Sequence, residues 1–271
     1  MTRPLLDVQG LRVSYGGVVA VCDVDLQVAQ GTVHGLIGPN GAGKTSMIDA
    51  LTGYQRPAAG SVTFDGRSIT HLRAHRRARL GLARTFQSVE LFDDLTVEEN
   101  LLVASERAGV GRALRDLFMP ARAPERAAVD WAIEVCGLGA IVDRMPAEIS
   151  TGQRKLVGVG RALAQRPKLV LLDEPAAGLD TDESQELGRR LRALPSEHGV
   201  TVLLVDHDMG LVLGVCDRLT VLDFGRRIAE GTPDEIRTDA RVLEAYLGSH
   251  GEAERQARVA TGPAAGGERT P

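Results

Sequence analysis

Two stretches near the start of the chain alternate apolar and polar residues with a period of two. Residues 11–15 (Leu-Arg-Val-Ser-Tyr) and 24–28 (Val-Asp-Leu-Gln-Val) read as half-buried strands, with Gly16-Gly17 as a turn between extended runs. Residues 33–37 (Val-His-Gly-Leu-Ile) form a short apolar strand leading straight into a glycine-rich segment. A helix is expected from Lys44 to about Leu51, stopped by Gly53 and Pro57. Residues 61–64, followed by Asp65-Gly66, suggest a further strand and turn.

From residue 94 to 165 the period changes to that of helices. Thr96-x-x-Glu99 and Ser150-x-x-Gln153 have the pattern of capping boxes, each opening a helix. Pro124 sits where a first-turn proline is tolerated, ahead of a helix over 127–136, and the helix after Ser150 must end before Pro167. This block reads as an inserted helical subdomain, with 109–120 irregular. Apolar runs at 169–172, 200–205 and 219–222 then alternate with helices near 181–194 and from Met209. Short continuous apolar strands between helices indicate a buried, mostly parallel sheet. The expected fold is α/β: a mostly parallel core, an N-terminal antiparallel β part and the helical insertion. One domain spans 1–249. Residues 250–271, with little to bury, read as a disordered tail.

Composition narrows the function classes. The apolar fraction of 43% is ordinary for a globular protein, and the net charge of −4 favours neither nucleic acid nor an anionic membrane. Aromatics at 3% argue against base-stacking surfaces, so no nucleic-acid partner is expected. Cys22, Cys136 and Cys216 form no CxxC pair and read as reduced, buried thiols rather than a metal site. The N-terminus lacks the apolar core of a signal peptide, and no apolar run approaches the ~20 residues of a membrane helix. The chain is therefore expected to be soluble and to meet a membrane only through a partner. The basic run from His71 to Arg79 reads as a solvated helix face.

The chemistry sits at two places. Gly38-Pro39-Asn40-Gly41-Ala42-Gly43-Lys44-Thr45 fits GxxxxGK[ST], with a strand before it and a helix after it. Its glycines let backbone N–H groups turn toward phosphate oxygens, and the helix presents its positive end to the same anion. Lys44 supplies a point charge to the outer phosphates, and the Thr45 hydroxyl can ligate Mg²⁺. The run Leu169-Val-Leu-Leu-Asp173-Glu174 brings two carboxylates to a strand end. Asp173 can hold hydrated Mg²⁺, and Glu174 can polarise an attacking water.

In this order, Tyr15, the glycine loop with Ser46 after it, Gln87, the turn 149–153, the strand 169–174, Gly178-Leu179-Asp180 and His207 resemble the ATP-binding subunits of ABC transporters. The resemblance covers about residues 5–248. It implies that Tyr15 stacks on adenine and that Gln87 senses Mg²⁺ and water near the transporter contact. It also implies that His207 meets the γ-phosphate and that Asp180 links two sites across a dimer. Ser150, Gly152 and Gln153 would meet the γ-phosphate held by a second, head-to-tail ATPase subunit. Thr151 departs from the commonest signature, which has glycine there; it keeps the N–H and adds a branched Cβ.

Narrower stretches are similar to the ATPases of branched-chain amino acid importers: residues 84–92, 173–179, 206–209, 221–231 and 244–248. The length of the segment after Gln87, with 109–124 as extra material, is similar to the longer of two ATPase types in such systems. The resemblance implies ATP and Mg²⁺ as cofactors. It implies integral-membrane permease subunits as partners, a solute-binding protein as an indirect one, and a place on the cytoplasmic face of the plasma membrane. Importers of urea or short amides, and soluble non-transport ATPases of the same family, are the alternatives. The signature turn and His207 oppose a kinase or GTPase, and intact Lys44, Asp173 and Glu174 oppose a non-hydrolysing subunit.

Overall fold

The computed structural model describes residues 3–85, 91–105 and 123–246. Gln87, the irregular stretch 109–120 and the tail 250–271 lie outside the described residues. Strands β1 (Pro4–Tyr15) and β2 (Val18–Ala29) form a long antiparallel hairpin turned by Gly16-Gly17. Alternation puts Val13, Val24, Leu26 and Val28 in the core while their neighbours face outward. Both strands run several residues beyond the expected 11–15 and 24–28, since backbone pairing continues where the alternation weakens.

Strand β3 (Val33–Ile37), fully buried, leads through the glycine loop into helix α1 (Lys44–Thr52). Gly53, left-handed at φ 84°, ends α1 by donating its N–H to Asp49. Strands β4 (Ala59–Phe64) and β5 (Arg67–Ser68) complete a first sheet in the order β2-β1-β4-β5.

Helix α2 (Ala74–Arg79) carries most of the basic run; His71, Arg73, His75, Arg76 and Arg79 are exposed, as a solvated face requires, and only Arg77 departs from that reading. Arg77 is buried at 1% exposure. Its guanidinium donates to the Ala50 and Leu51 carbonyls at 2.7 Å each, to Leu72 at 2.9 Å and to Thr70 at 3.1 Å. It thus satisfies the open C-terminal carbonyls of α1, where a cation also suits the helix dipole.

The second sheet collects β6 (Leu82–Arg84), β7 (Leu169–Asp173), β8 (Thr201–Val205), β9 (Arg218–Asp223) and β10 (Arg226–Gly231) around β3, in the order β10-β9-β3-β8-β7-β6. Every pair is parallel except β9–β10. Its central strands β3, β7 and β8 are buried along their whole length because both faces are covered. In β7, Leu169 and Leu171 join the core shared with the first sheet and α1, whereas Val170 and Leu172 join the core under the later helices.

Those helices are α3 (Val97–Ser105), α4 (Ala123–Cys136), α5 (Thr151–Leu163), α6 (Thr181–His198), α7 (Met209–Val215) and α8 (Pro233–Thr238). Thr96 caps α3 reciprocally with Glu99, and Ser150 caps α5 with Gln153. Leu101, Val129 and Val157 of α3, α4 and α5 share one apolar cluster. Helix α6 runs four residues past the expected end at 194, through Pro195, to the left-handed cap Gly199. Buried Leu191 and Leu194 hold it down, and Gly199 satisfies the Leu194 and Pro195 carbonyls.

Candidate active site around the glycine loop

The strands that precede the glycine loop, Glu174 and His207 (β3, β7 and β8) are parallel and end on one edge of the sheet. At the end of β3 the chain turns at Gly38, where an added Cβ would lie 2.1 Å from the Leu222 carbonyl oxygen. At Gly43 (φ 98°) an added Cβ would lie 2.5 Å from the Ala20 carbonyl oxygen. Neighbouring strands therefore leave room at Gly38 and Gly43 for backbone alone. Gly41 (φ 80°) faces open space. Ala42 and Pro39 are buried supports, and Asn40, Gly41 and Thr45 are exposed, with Ser46 half-buried. The Lys44 ammonium curls back to donate to the carbonyls of Gly38 (2.7 Å) and Pro39 (2.9 Å). Burial lowers its pKa, while the charges of Glu174 and Asp173 oppose that shift.

Two strands away, β7 delivers Asp173 to the same edge. Its N–H donates to Thr85 Oγ1 at 3.0 Å, and its Oδ2 accepts from Arg84 at 3.2 Å. Burial raises the Asp173 pKa, outweighing the Arg84 guanidinium, and the nearby Glu174 and Asp49 carboxylates add to the rise. Arg84 also reaches Asp49 of α1 at 2.5 Å, which ties β7 to the helix of the glycine loop.

Glu174 follows with a left-handed backbone, φ 49°. His207, at the end of β8, brings Nδ1 to 3.8 Å from Glu174 Oε1 and 3.6 Å from Asp206 Oδ1. Asp206 is the residue that sequence reasoning gave no role. It is 1% exposed. Oδ1 accepts the N–H groups of His207 (2.8 Å) and Asp208 (3.1 Å), and Oδ2 accepts that of Ala176 (3.3 Å). One buried carboxylate thus braces both the loop after Glu174 and the loop carrying His207. The sequence places it in the family-similar stretch 206–209, as an acid just after an apolar strand, and marks no role for it.

Tyr15 stands 45% exposed at the tip of the β1–β2 hairpin, beside exposed Val18 and Val19. The hairpin reaches the loop through Ala20, so an apolar shelf lies next to the glycine loop.

Ser150, Gly152 and Gln153 lie at the start of α5. The Ser150 hydroxyl and the Gln153 amide are engaged in their reciprocal cap at 3.1 and 2.9 Å. Gly152 is packed: an added Cβ would stand 2.6 Å from Leu179 and 3.0 Å from the Glu183 carboxylate. Asp180 caps α6, with Oδ1 accepting from the Glu183 N–H at 2.8 Å. The Thr151 methyl faces Gly178, 3.9 Å from where a Cβ there would sit.

A buried parallel strand, a glycine loop with its lysine, and a second strand ending in two carboxylates define a P-loop nucleoside triphosphatase fold. Comparison with known proteins makes the class specific. A family model described as ABC transporter matches residues 21–177, and one described as branched-chain amino acid ATP-binding cassette transporter matches residues 226–252. The high-affinity branched-chain amino acid transport ATP-binding protein BraF of Pseudomonas aeruginosa is 43% identical over 253 residues, covering 92% of this chain and 99% of BraF. The protein of the same description, LivG, from Salmonella typhimurium is 40% identical over 255 residues, with coverage of 92% and 99%. A solved ATP-binding cassette of an ABC transporter in its ADP conformation superposes with a TM-score of 0.78 at 30% identity, covering 91% of this chain and 100% of that one. The chain belongs to the ABC transporter family, as an ATP-binding subunit and ATPase. Among the described residues, no helix is long and apolar enough to cross a membrane.

Proposed function

We propose that this chain is the ATP-hydrolysing subunit of an importer for branched-chain amino acids, held on the cytoplasmic face of the plasma membrane by permease subunits and served indirectly by a solute-binding protein. The substrate reading is supported by the identity to BraF and LivG and by the match over residues 226–252. Loss of labelled leucine uptake on deleting the gene is the matching test; unchanged uptake would refute this substrate.

The observation that carries the enzymatic reading is the convergence of Glu174, His207 and Lys44 on one sheet edge, braced by Asp206. The loop N–H groups and the start of α1 bind the phosphates, and Tyr15 stacks on the base. Lys44 exchanges its loop carbonyls for phosphate oxygens, which answers the lowering of its pKa by burial. Glu174 orients and polarises the attacking water, while His207 contacts the γ-phosphate.

The donor set fits Mg²⁺ carried in with a nucleotide. A hydroxyl (Thr45) and a carboxylate (Asp173) are hard oxygen donors, too few for an all-protein cage, and no cluster of three or more His, Cys, Asp or Glu that could hold a metal occurs among the described residues. Mg²⁺ would be held by Thr45 and Asp173, with Gln87 proposed as a further ligand on the family resemblance alone, and would supply neutralisation of phosphate charge. The site is completed in a head-to-tail dimer, with Ser150, Gly152 and Gln153 of one chain facing the nucleotide of the other and Asp180 at the seam. Domain 1–249 carries these functions.

The test is Glu174→Gln. It keeps the shape and loses the base, so ATP binding and dimerisation persist while turnover falls about 100-fold or more. Near-normal turnover would remove Glu174 from this role.

A further inference from the structure

Glu174 is held in a conformation its sequence disfavours. A left-handed backbone is uncommon for any residue with a Cβ, and Pro175 further restricts the residue before it to extended conformations. Such a geometry persists only where its surroundings over-determine it. Two contacts do so. The Glu174 N–H donates to the Val205 carbonyl at 2.7 Å, which ties it to the end of β8. The Glu174 carbonyl accepts the Lys155 ammonium at 3.1 Å and the Ala177 N–H at 3.3 Å.

Lys155 belongs to α5, the helix that Ser150 opens. Five residues separate them, about 7.5 Å along a rigid helix. The same helix packs Gly152 against Leu179 and Glu183. The turn expected to face the partner's nucleotide and the donor on the Glu174 carbonyl therefore move as one body.

We propose that Lys155 is a positioning residue for Glu174. Its ammonium fixes the peptide plane after Glu174, and so the direction in which the carboxylate leaves the backbone. The setting of the chain's own water-orienting group then depends on where the signature helix sits, and that links each site of a dimer to the other. This rests on the role given to Glu174 above. It invokes no contact between Lys155 and nucleotide.

The test uses the full-length chain with Lys155→Met, which keeps the apolar stem and removes the donor, and Lys155→Arg, which restores one. Steady-state kinetics, ATP binding and thermal unfolding are measured on both, with Glu174→Gln alongside. The expected result for Lys155→Met is a kcat lower by roughly 10- to 100-fold, the range for a slightly misplaced catalytic group, with KM, ATP binding and unfolding temperature unchanged. Lys155→Arg regains most of the rate. In the Glu174→Gln background, Lys155→Met adds little, because both act on one group. Wild-type kcat in Lys155→Met overturns the proposal. So does a loss that appears in KM or unfolding temperature, or one that Lys155→Arg does not restore. If Glu174→Gln is inactive while Lys155→Met is not, only the positioning role fails. If Glu174→Gln turns over normally, the assignment of Glu174 fails with it.

Discussion

The Arg84 guanidinium bridges two carboxylates on different elements, Asp173 of β7 at 3.2 Å and Asp49 of α1 at 2.5 Å. Arg84 and Asp173 have side chains only 8% and 6% exposed. Removing one partner from a buried pair leaves an uncompensated charge. Arg84→Ala is expected to lose about 3 kcal/mol of stability, read from denaturant unfolding. Arg84→Lys should recover only part of this, since a single ammonium cannot reproduce the forked donor set.

His34 gives the fold a pH dependence. It lies in the middle strand of the parallel sheet, its Nε2 2.9 Å from Thr220 Oγ1, and burial, helped by Arg218, lowers its pKa from 6.5 to about 4. The unfolded chain therefore binds a proton at this site that the folded chain refuses between those values. Stability from this group is fully present above pH 6.5 and is lost as pH falls toward 4. The loss amounts to about 3 kcal/mol. Unfolding free energies of wild type and His34→Gln across this window check it: the difference between them should shrink as the pH is lowered.

Ser150 tests the proposed division of nucleotide roles between two facing chains. Ser150→Arg fills the start of α5 and breaks its cap, a local cost of about 1 kcal/mol. Hydrolysis should disappear, while binding of a fluorescent ATP analogue to the monomer stays within about threefold of wild type, a change under 1 kcal/mol. If binding also disappears, the turn serves the chain's own nucleotide.

The glycine loop offers a contrast. At Gly43 an added Cβ meets the Ala20 carbonyl oxygen at 2.5 Å, whereas at Gly41 it meets nothing within 4 Å. Gly43→Ala combines backbone strain with overpacking and should cost roughly 2–5 kcal/mol along with ATP binding. Gly41→Ala, carrying strain alone, should cost about 1–2 kcal/mol. Calorimetric unfolding of both variants checks the ordering.

The elements legible in the sequence were those with local causes. The capping boxes at Thr96 and Ser150, the stop at Gly53 and the buried runs of β3, β7 and β8 each follow from residues a few positions apart. The illegible ones depend on partners distant in the chain. Arg77 looked like one of a solvated basic run until the carbonyls of α1 came to lie against it. The helix expected near 181–194 continues through Pro195 to His198, because packing beneath it outweighs one missing N–H. Asp206 and Lys155 carry no motif of their own, since their partners are backbone groups supplied by other elements.

By itself, the sequence determined the chemical inventory and the local frame: a glycine-rich loop with its lysine, two strand-end carboxylates and the caps at Thr96 and Ser150. These follow from short-range sterics and from the period of apolar residues. Only the tertiary structure decided the working geometry. The strand order placed β8 beside β7, which brought His207 to 3.8 Å from Glu174 and gave Asp206 two loops to brace. The same packing set α5 against the end of β7, so that Lys155 reached the Glu174 carbonyl. A left-handed glutamate before a proline is locally supported only by the Ala177 N–H on its carbonyl, and its other two hydrogen bonds, to Val205 and from Lys155, exist only once the sheet and α5 have assembled.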